Sequence, residues 1–127
     1  MFIARVSLAA LTVLLLARQA IASQHIVDVV WNKSGAFVHS ALVPAGKFVE
    51  VCASLKVGEM VCWRFRAAAP LDFNVHYHVG ESAESPARLT QSAAGDGVLQ
   101  VGVKETYCWT WANKSADEVR VDLRLQR

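Results

Sequence analysis

Two stretches between Val61 and Gly80 alternate strictly between apolar and polar side chains, and this pattern constrains the fold more than any other feature. The apolar members are Val61, Trp63 and Phe65 in the first stretch and Phe73, Val75, Tyr77 and Val79 in the second. The polar positions between them hold Cys62, Arg64 and Arg66, and then Asp72, Asn74, His76 and His78. Successive side chains of a β-strand point to opposite faces. We therefore expect two strands, each with one apolar face in a core and one polar face outside it.

The first 22 residues have the form of a secretory signal peptide. A short start with one positive charge, Met1 to Arg5, precedes an apolar run over residues 6–17, and Ala20-Ile21-Ala22 matches the A-x-A cleavage pattern. The apolar run is shorter than the roughly 20 residues that a membrane span needs. An uncleaved anchor and a buried N-terminal helix are the alternatives. We expect a periplasmic or secreted bacterial protein whose single domain spans residues 23–127, without a stable membrane span in the mature chain.

The charge of the mature chain argues against two classes of partner. The net charge of +2 includes Arg5 and Arg18, so cleavage after residue 22 leaves 11 basic and 11 acidic residues. A chain with balanced charge gives no electrostatic reason to bind nucleic acid or an anionic membrane. We expect the partner to be a protein or a small ligand.

The rest of the mature chain predicts an all-β domain. Apolar runs or alternating patterns mark further strands, and turn signals separate them at short intervals. The further candidate strands cover residues 24–31, 36–43, 47–54, 98–103, 107–111 and 119–125. The segment Gly80–Gly97 is polar, contains Pro86 and glycines and has no sustained apolar period. It is therefore predicted as a long loop, with a short strand at 87–90 as an alternative. No segment has a helical apolar period, and the pattern predicts a two-sheet antiparallel β-sandwich.

Three cysteines in an exported domain allow one disulfide and leave one thiol. Cys52, Trp63 and Cys108 follow the order of the immunoglobulin pattern, but in that fold a tyrosine lies two residues before the second cysteine, whereas Tyr107 is adjacent to Cys108. If Tyr107 faces inward, Cys108 faces outward, as Cys62 does beside an inward Trp63. We favour the pair Cys62–Cys108 and leave the other pairings open.

Several landmarks, in order, resemble the GOLD domain, the β-sandwich module of the p24 cargo-receptor proteins. They are Val43-Pro44-Ala45-Gly46, Leu55-Lys56-Val57-Gly58, Val61-Cys62-Trp63-Arg64-Phe65, Leu71-Asp72-Phe73-Asn74-Val75 and the late aromatic strand from Tyr107 to Asn113. The run Phe73–His78 is also similar to a group of small bacterial exported proteins. The resemblance implies a GOLD-like or jelly-roll-like sandwich that acts as a binding module.

The pair His76-x-His78 is the sharpest chemical feature. Two histidines at i and i+2 of a strand lie on one face about 6.6–7 Å apart at Cα and can converge on zinc or copper. A third ligand would come from Asp72, His39, Glu81 or the thiols of Cys62 and Cys108. The alternative is a solvated face on which histidine is a tolerated polar residue.

No catalytic motif is present, so we predict no enzyme and no catalytic residues. The chain lacks a G-x-S-x-G elbow, a phosphate-binding glycine loop and a dinucleotide fingerprint. Trp63, Trp109 and Trp111, at strand spacing, are expected in the core. The sequence predicts an exported, non-enzymatic binding module without a cofactor, acting through the His76/His78 face or the Gly80–Gly97 loop. A periplasmic zinc- or copper-binding protein is the alternative, and a structural subunit that uses an exposed strand edge is the third hypothesis.

Overall fold

The computed structural model describes residues 26–127 and contains seven β-strands. They are β1 (Ile26–Asp28), β2 (Ala36–Val43), β3 (Phe48–Leu55), β4 (Met60–Val79), β5 (Ser82–Gln100), β6 (Glu105–Ala112) and β7 (Val119–Gln126). This part of the chain contains no α-helix, so the all-β prediction is confirmed. Accordingly, it has no apolar helix long enough to traverse a bilayer. The predicted signal peptide, residues 1–22, lies outside the described residues.

The strands form one mixed sheet rather than two separate antiparallel sheets. Their order is β1-β3-β6-β4-β7-β2, with β5 paired to β4, and β1 runs parallel to β3. Strand β4 joins what would otherwise be two layers, because its residues 62–67 pair with β7 and its residues 72–76 pair with β6. A strand of 20 residues is long enough to belong to both.

The sheet curls at the middle of the β4–β5 hairpin. The register of this pair shifts between Arg66 and Leu71. We call β2, β7 and residues 60–67 and 94–100 the arginine half, and β1, β3, β6 and residues 71–79 and 82–92 the histidine half. Aromatic rings join the two halves in the interior, where the ring centroids of Trp63 and Phe73 are 4.8 Å apart. The curled sheet thereby encloses one core.

The core contains the apolar side chains that the alternating pattern predicts. Trp63 is 6 % exposed and Trp109 and Trp111 are 0 % and 1 % exposed, so the expectation that they are core residues is confirmed. The four inward aliphatic residues of β7 complete this interior: Val119, Val121, Leu123 and Leu125. Burial of this apolar surface drives folding.

The prediction of a loop over Gly80–Gly97 is wrong, because β5 occupies most of this segment. Gly97 pairs with Trp63 and Gly95 with Phe65 on the adjacent strand. A Cβ atom at Gly97 would lie 2.6 Å from Cζ2 of Trp63, and one at Gly95 would lie 2.8 Å from Cε1 of Phe65. These glycines therefore permit close packing of aromatic rings within a strand and do not form turns.

The predicted disulfide Cys62–Cys108 is also wrong, since the bond joins Cys52 to Cys108. Cys52 and Cys108 are direct partners on β3 and β6, with their Cα atoms 4.1 Å apart. Cys62 does lie on an outward face, but on the arginine half, opposite Gln126. The alternation of side chains along a strand shows that a cysteine points outward, but it does not show which of the two outer faces the cysteine occupies. Cys62 is exposed and unbonded.

Two identical Asn-Lys-Ser sequences, at residues 32–34 and 113–115, lie where the chain turns between strands. Oδ1 of Asn32 accepts hydrogen bonds from the backbone N–H groups of Ser34 and Ala36, at 3.0 and 2.9 Å. Asn113 is 2 % exposed, and its Nδ2 donates to the carbonyl oxygens of Val43 and Asp117, at 3.0 and 2.7 Å. These side-chain bonds replace the ladder bonds that the backbone loses where it reverses.

Candidate functional site

His76 occupies the centre of the outer face of the histidine half. Its cross-strand partner is Cys108, so the ring lies beside the Cys52–Cys108 disulfide. The neighbouring position along β4 is Asn74, which lies opposite Thr110. The next strand places Glu50 beside Thr110. A row of polar side chains thus crosses three strands, and we call Glu50, Asn74, His76, His78 and Thr110 the histidine face.

Hydrogen bonds join four of the five members of the histidine face in two pairs. Nδ1 of His76 donates to Oδ1 of Asn74 at 2.7 Å, and Oγ1 of Thr110 donates to Oε1 of Glu50 at 3.2 Å. Nε2 of His76 lies 3.7 Å from the same Glu50 oxygen. The side chains of His76 and Glu50 are only 12 % and 19 % exposed. The polar groups of this face are therefore largely engaged with each other.

Burial lowers the pKa of His76 below 6.5, because a partly buried imidazolium loses hydration. The carboxylate of Glu50 opposes this effect by attracting the charged form, and the nearby imidazole of His78 adds a smaller lowering effect. The loss of hydration dominates. Burial therefore favours the neutral, hydrogen-bonding form of His76 over the imidazolium.

Asp72 lies on the same outer face, near the bend of the sheet. Nζ of Lys114 is 2.6 Å from one carboxylate oxygen, and the other accepts bonds from the backbone N and Nε2 of Gln91, both at 2.9 Å. The hydrogen bond with Lys114, followed by those with Gln91, lowers the pKa of Asp72 to about 2. Gln91 has a φ of 45°, a left-handed conformation that these bonds stabilise.

The two predicted metal ligands are near each other, but among the described residues no third donor forms a compact cluster with them. The rings of His76 and His78 are 5.2 Å apart between centroids. Within residues 26–127, the three-donor cluster found is Glu50 with Cys52 and Cys108, and disulfide formation removes both thiolates.

The residues proposed as a third ligand lie elsewhere or are engaged. Asp72 is bonded to Lys114, and Cys108 is in the disulfide. Cys62 and His39 belong to strands of the arginine half, where His39 stacks on Phe37, and Glu81 lies in the turn between β4 and β5. The histidine pair thus supplies two donors on an otherwise hydrogen-bonded face.

The arginine half has an outer face of a different character. Arg64 and Arg66 of β4 lie opposite Arg124 and Asp122 of β7, respectively. Arg120 completes the set, and we call Arg64, Arg66, Arg120 and Arg124 the arginine face. All four are exposed. The sequence contained this signal as alternate arginines within two strands, but the balanced total charge concealed it.

A groove runs along the arginine face between β7 and β5. It has a volume of about 310 Å³, and its walls include Cys62, Arg64, Asp96 and Arg124. A second groove of about 570 Å³ adjoins it and is lined by Val38 and again by Arg64 and Arg124. The two arginines therefore border both depressions.

The fold resembles that of a periplasmic lysozyme inhibitor. PliG of Aeromonas hydrophila, a periplasmic inhibitor of g-type lysozyme, aligns with a TM-score of 0.60 and 13 % identity over 80 % of this chain and 94 % of the inhibitor. The mitogen of Yersinia pseudotuberculosis aligns with a TM-score of 0.56 and 10 % identity over 72 % and 84 % of the two chains. No protein-family model and no curated protein sequence matches the chain.

These likenesses establish the all-β fold. Identities of 13 % and 10 % do not carry over residue roles from either protein. The GOLD resemblance is neither supported nor opposed by these comparisons, and it stays a prediction.

Proposed function

We propose that this protein is an exported, non-enzymatic binding module that inhibits a lysozyme-class peptidoglycan hydrolase in the bacterial periplasm. The observation that carries the proposal is the shared fold with a periplasmic lysozyme inhibitor, of which 94 % is covered. The signal-peptide pattern of residues 1–22 supports the compartment. A fold does not dictate a function, so the surfaces of this chain must also suit a protein partner.

The surfaces support a protein partner better than a small substrate. Both grooves lie on the outer face of a sheet, whereas small-molecule sites are usually concave and mostly enclosed. The disulfide and the single aromatic core make the strands a rigid support, and rigid partners lose little conformational entropy on binding. The internal hydrogen bonds of the histidine face support a structural role for His76 instead of general acid–base chemistry.

An inhibition assay tests the proposal. The full sequence is expressed in a bacterial host, and the protein is purified from the periplasm. It is then mixed with g-type lysozyme and with lysozymes of other types, and the lysis of a peptidoglycan suspension is followed by turbidity. We expect saturable inhibition of at least one type at equimolar protein. Full lysis by every type, together with no heat of binding in calorimetry, would contradict the proposal.

A periplasmic zinc- or copper-binding role is the second candidate. The observation that favours it is the short separation of the two imidazoles, 5.2 Å between centroids, with a Glu50 oxygen 3.7 Å from Nε2 of His76. Binding would require the bond between His76 and Asn74 or the contact with Glu50 to rearrange. Ligand binding to the folded state raises the melting temperature.

Metal titration of protein without a histidine tag tests this second role. We expect Zn²⁺ or Cu²⁺ to raise the melting temperature of the unsubstituted protein and to have no effect on the double variant His76→Gln/His78→Gln. An unchanged melting temperature in both proteins would refute the metal role and leave the inhibitor proposal intact.

A further inference from the structure

The arginine face places two like charges directly opposite each other on adjacent strands. Arg64 and Arg124 are register partners in the antiparallel pair of β4 and β7. Directly opposite residues have Cβ atoms only about 4.5–5.5 Å apart, and like charges in this arrangement are destabilising. A sheet that only needed a solvated outer face would be more stable with a neutral or acidic residue at either position.

Within residues 26–127, neither arginine of this pair forms an ion pair. Asp122 forms its ion pair with Arg120, at 3.1 Å, and is also bonded to Ser40. Asp96 is the register partner of Arg64 on β5, yet no carboxylate in residues 26–127 lies within 4.0 Å of the guanidinium nitrogens of Arg64 or Arg124. Two guanidinium groups thus border the groove with their donors available to a ligand.

Apolar side chains flank the arginine pair on both sides. Val38 of β2 lies opposite Arg124 and is 65 % exposed, and Val98 of β5 lines the smaller groove and is 55 % exposed. Leu42 on β2 is 54 % exposed. Protein interfaces combine arginine with apolar side chains in this way, with arginine enriched relative to lysine.

We propose that Arg64 and Arg124 bind a side-chain carboxylate of an acidic protein partner. The interface is the outer face of the arginine half, across the neighbouring strands β2, β7, β4 and β5. A guanidinium forms paired hydrogen bonds with a carboxylate, so two neighbouring arginines can hold one acidic side chain between them. The inference rests on the proposed function only for the class of the partner, the periplasmic hydrolase.

The charges around the pair favour a protein carboxylate over a phosphate or a lipid surface. Asp96 and Asp122 lie at the borders of the grooves and would repel a doubly charged phosphate more strongly than a single carboxylate. They would also repel an anionic bilayer that approached the whole face. On a protein partner, the same aspartates would accept hydrogen bonds from basic or backbone groups next to the bound carboxylate.

Peptide binding tests this site independently of any lysozyme. The probe is a glutamate-rich decapeptide, its matched control is the glutamine version, and affinity is measured by calorimetry at low ionic strength. We expect the double variant Arg64→Gln/Arg124→Gln to bind at least tenfold more weakly than the unsubstituted protein. Arg88→Gln removes an exposed arginine of the histidine half, outside this face, and is expected to change affinity less than twofold. Equal affinity of the double variant and the unsubstituted protein would overturn the proposal.

Thermal unfolding keeps this test interpretable if the variant folds poorly. Since Arg64 and Arg124 repel each other, replacement of either alone is expected to leave the melting temperature unchanged or higher. A weaker-binding variant with a reduced melting temperature would overturn the assignment, because its loss of binding would then be explained by loss of structure.

Further binding measurements show which kind of molecule supplies the anionic group, and they separate this inference from the inhibitor proposal. Inorganic phosphate and vesicles with anionic phospholipid are tested in parallel, and arginine-dependent binding of either in preference to the peptide would overturn the protein assignment. Inhibition of lysozyme that survives Arg64→Gln/Arg124→Gln would refute the interface and retain the inhibitor function. Peptide binding without inhibition of any lysozyme would support the site and refute the inhibitor function.

Discussion

At the scale of single residues, the neutral His76 makes stability depend on pH. Burial lowers its pKa in the folded protein below 6.5, so the unfolded chain binds more protons at mildly acidic pH. The stabilising contribution is therefore complete above pH 6.5 and is lost as pH falls from 6.5 towards the pKa of the folded protein. We expect His76→Gln to flatten the fall in the free energy of unfolding between about pH 7 and pH 5.

Urea unfolding followed by tryptophan fluorescence over this pH range measures the effect of His76. His78→Gln is the matched control, because it removes an exposed imidazole two residues away on the same strand. It is expected to retain most of the pH dependence. A profile for His76→Gln that runs parallel to that of the unsubstituted protein would show that the protonation of His76 does not affect folding.

The cysteines give a second prediction at the residue scale. The Cys52–Cys108 bond closes a loop over a sequence separation of 56 and restricts the unfolded chain. Its removal in Cys52→Ala/Cys108→Ala is expected to lower the free energy of unfolding by about 2–4 kcal/mol. Cys62→Ala, which removes the exposed thiol, is expected to change it by less than about 0.5 kcal/mol. Alkylation of the unreduced protein should label Cys62, whereas label on Cys52 or Cys108 would contradict the pairing.

At the scale of the strands, the sequence predicted an element well where alternation was supported by bulky side chains. The inward residues Trp63, Phe65, Phe73 and Val75 of β4 were identified from their spacing and are all buried. Most of strand β5 was missed because its inward positions include Ala87, Gly95 and Gly97, small residues that carry no apolar pattern. Their role depends on the rings of the neighbouring strand, and that information is not local.

The candidate surfaces could be predicted only in part for the same reason. Side-chain parity put His76 on an outer face, and its contact with Glu50 required the pairing of β3, β6 and β4. The proximity of Arg64 and Arg124 likewise depends on the β4–β7 pairing. Residues 60 positions apart in the chain become neighbours through strand pairing, which the alternation of side chains along each strand does not indicate.

The close packing of β5 on β4 can be tested at Gly97. A methyl group at this position would lie 2.6 Å from Cζ2 of Trp63, a ring that is itself 6 % exposed and has little room to move. We expect Gly97→Ala to lower the free energy of unfolding by about 1–3 kcal/mol, the usual effect of overpacking. Gly102→Ala is the matched control, because no atom lies within 4 Å of its added carbon. Equal stability of the two variants would contradict the packing described for β5.

At the scale of the whole molecule, the curled sheet divides the surface into two unlike outer faces. The histidine face lies on one half, and four of its five polar side chains are hydrogen-bonded in two pairs. The arginine face lies on the other, and within residues 26–127 neither arginine of its central pair forms an ion pair. A total charge near zero is therefore compatible with a cluster of four exposed arginines on one surface. The fold likeness to PliG concerns the scaffold, and the two faces are features of this chain.

The single core predicts that the two halves of the sheet unfold together. The ring of Phe73, on β4 of the histidine half, lies 4.7 Å from that of Phe65 and 4.8 Å from that of Trp63, measured between centroids. Phe65 and Trp63 both belong to the arginine half. Because this contact joins the halves, Phe73→Ala is expected to lower the free energy of unfolding by about 3–5 kcal/mol. The exposed control Val57→Ala should change it by less than about 0.5 kcal/mol. Tryptophan fluorescence and far-ultraviolet circular dichroism should report one coincident transition in denaturant for each protein. Two separated transitions would mean that the halves are independent layers, as in a sandwich of separate sheets.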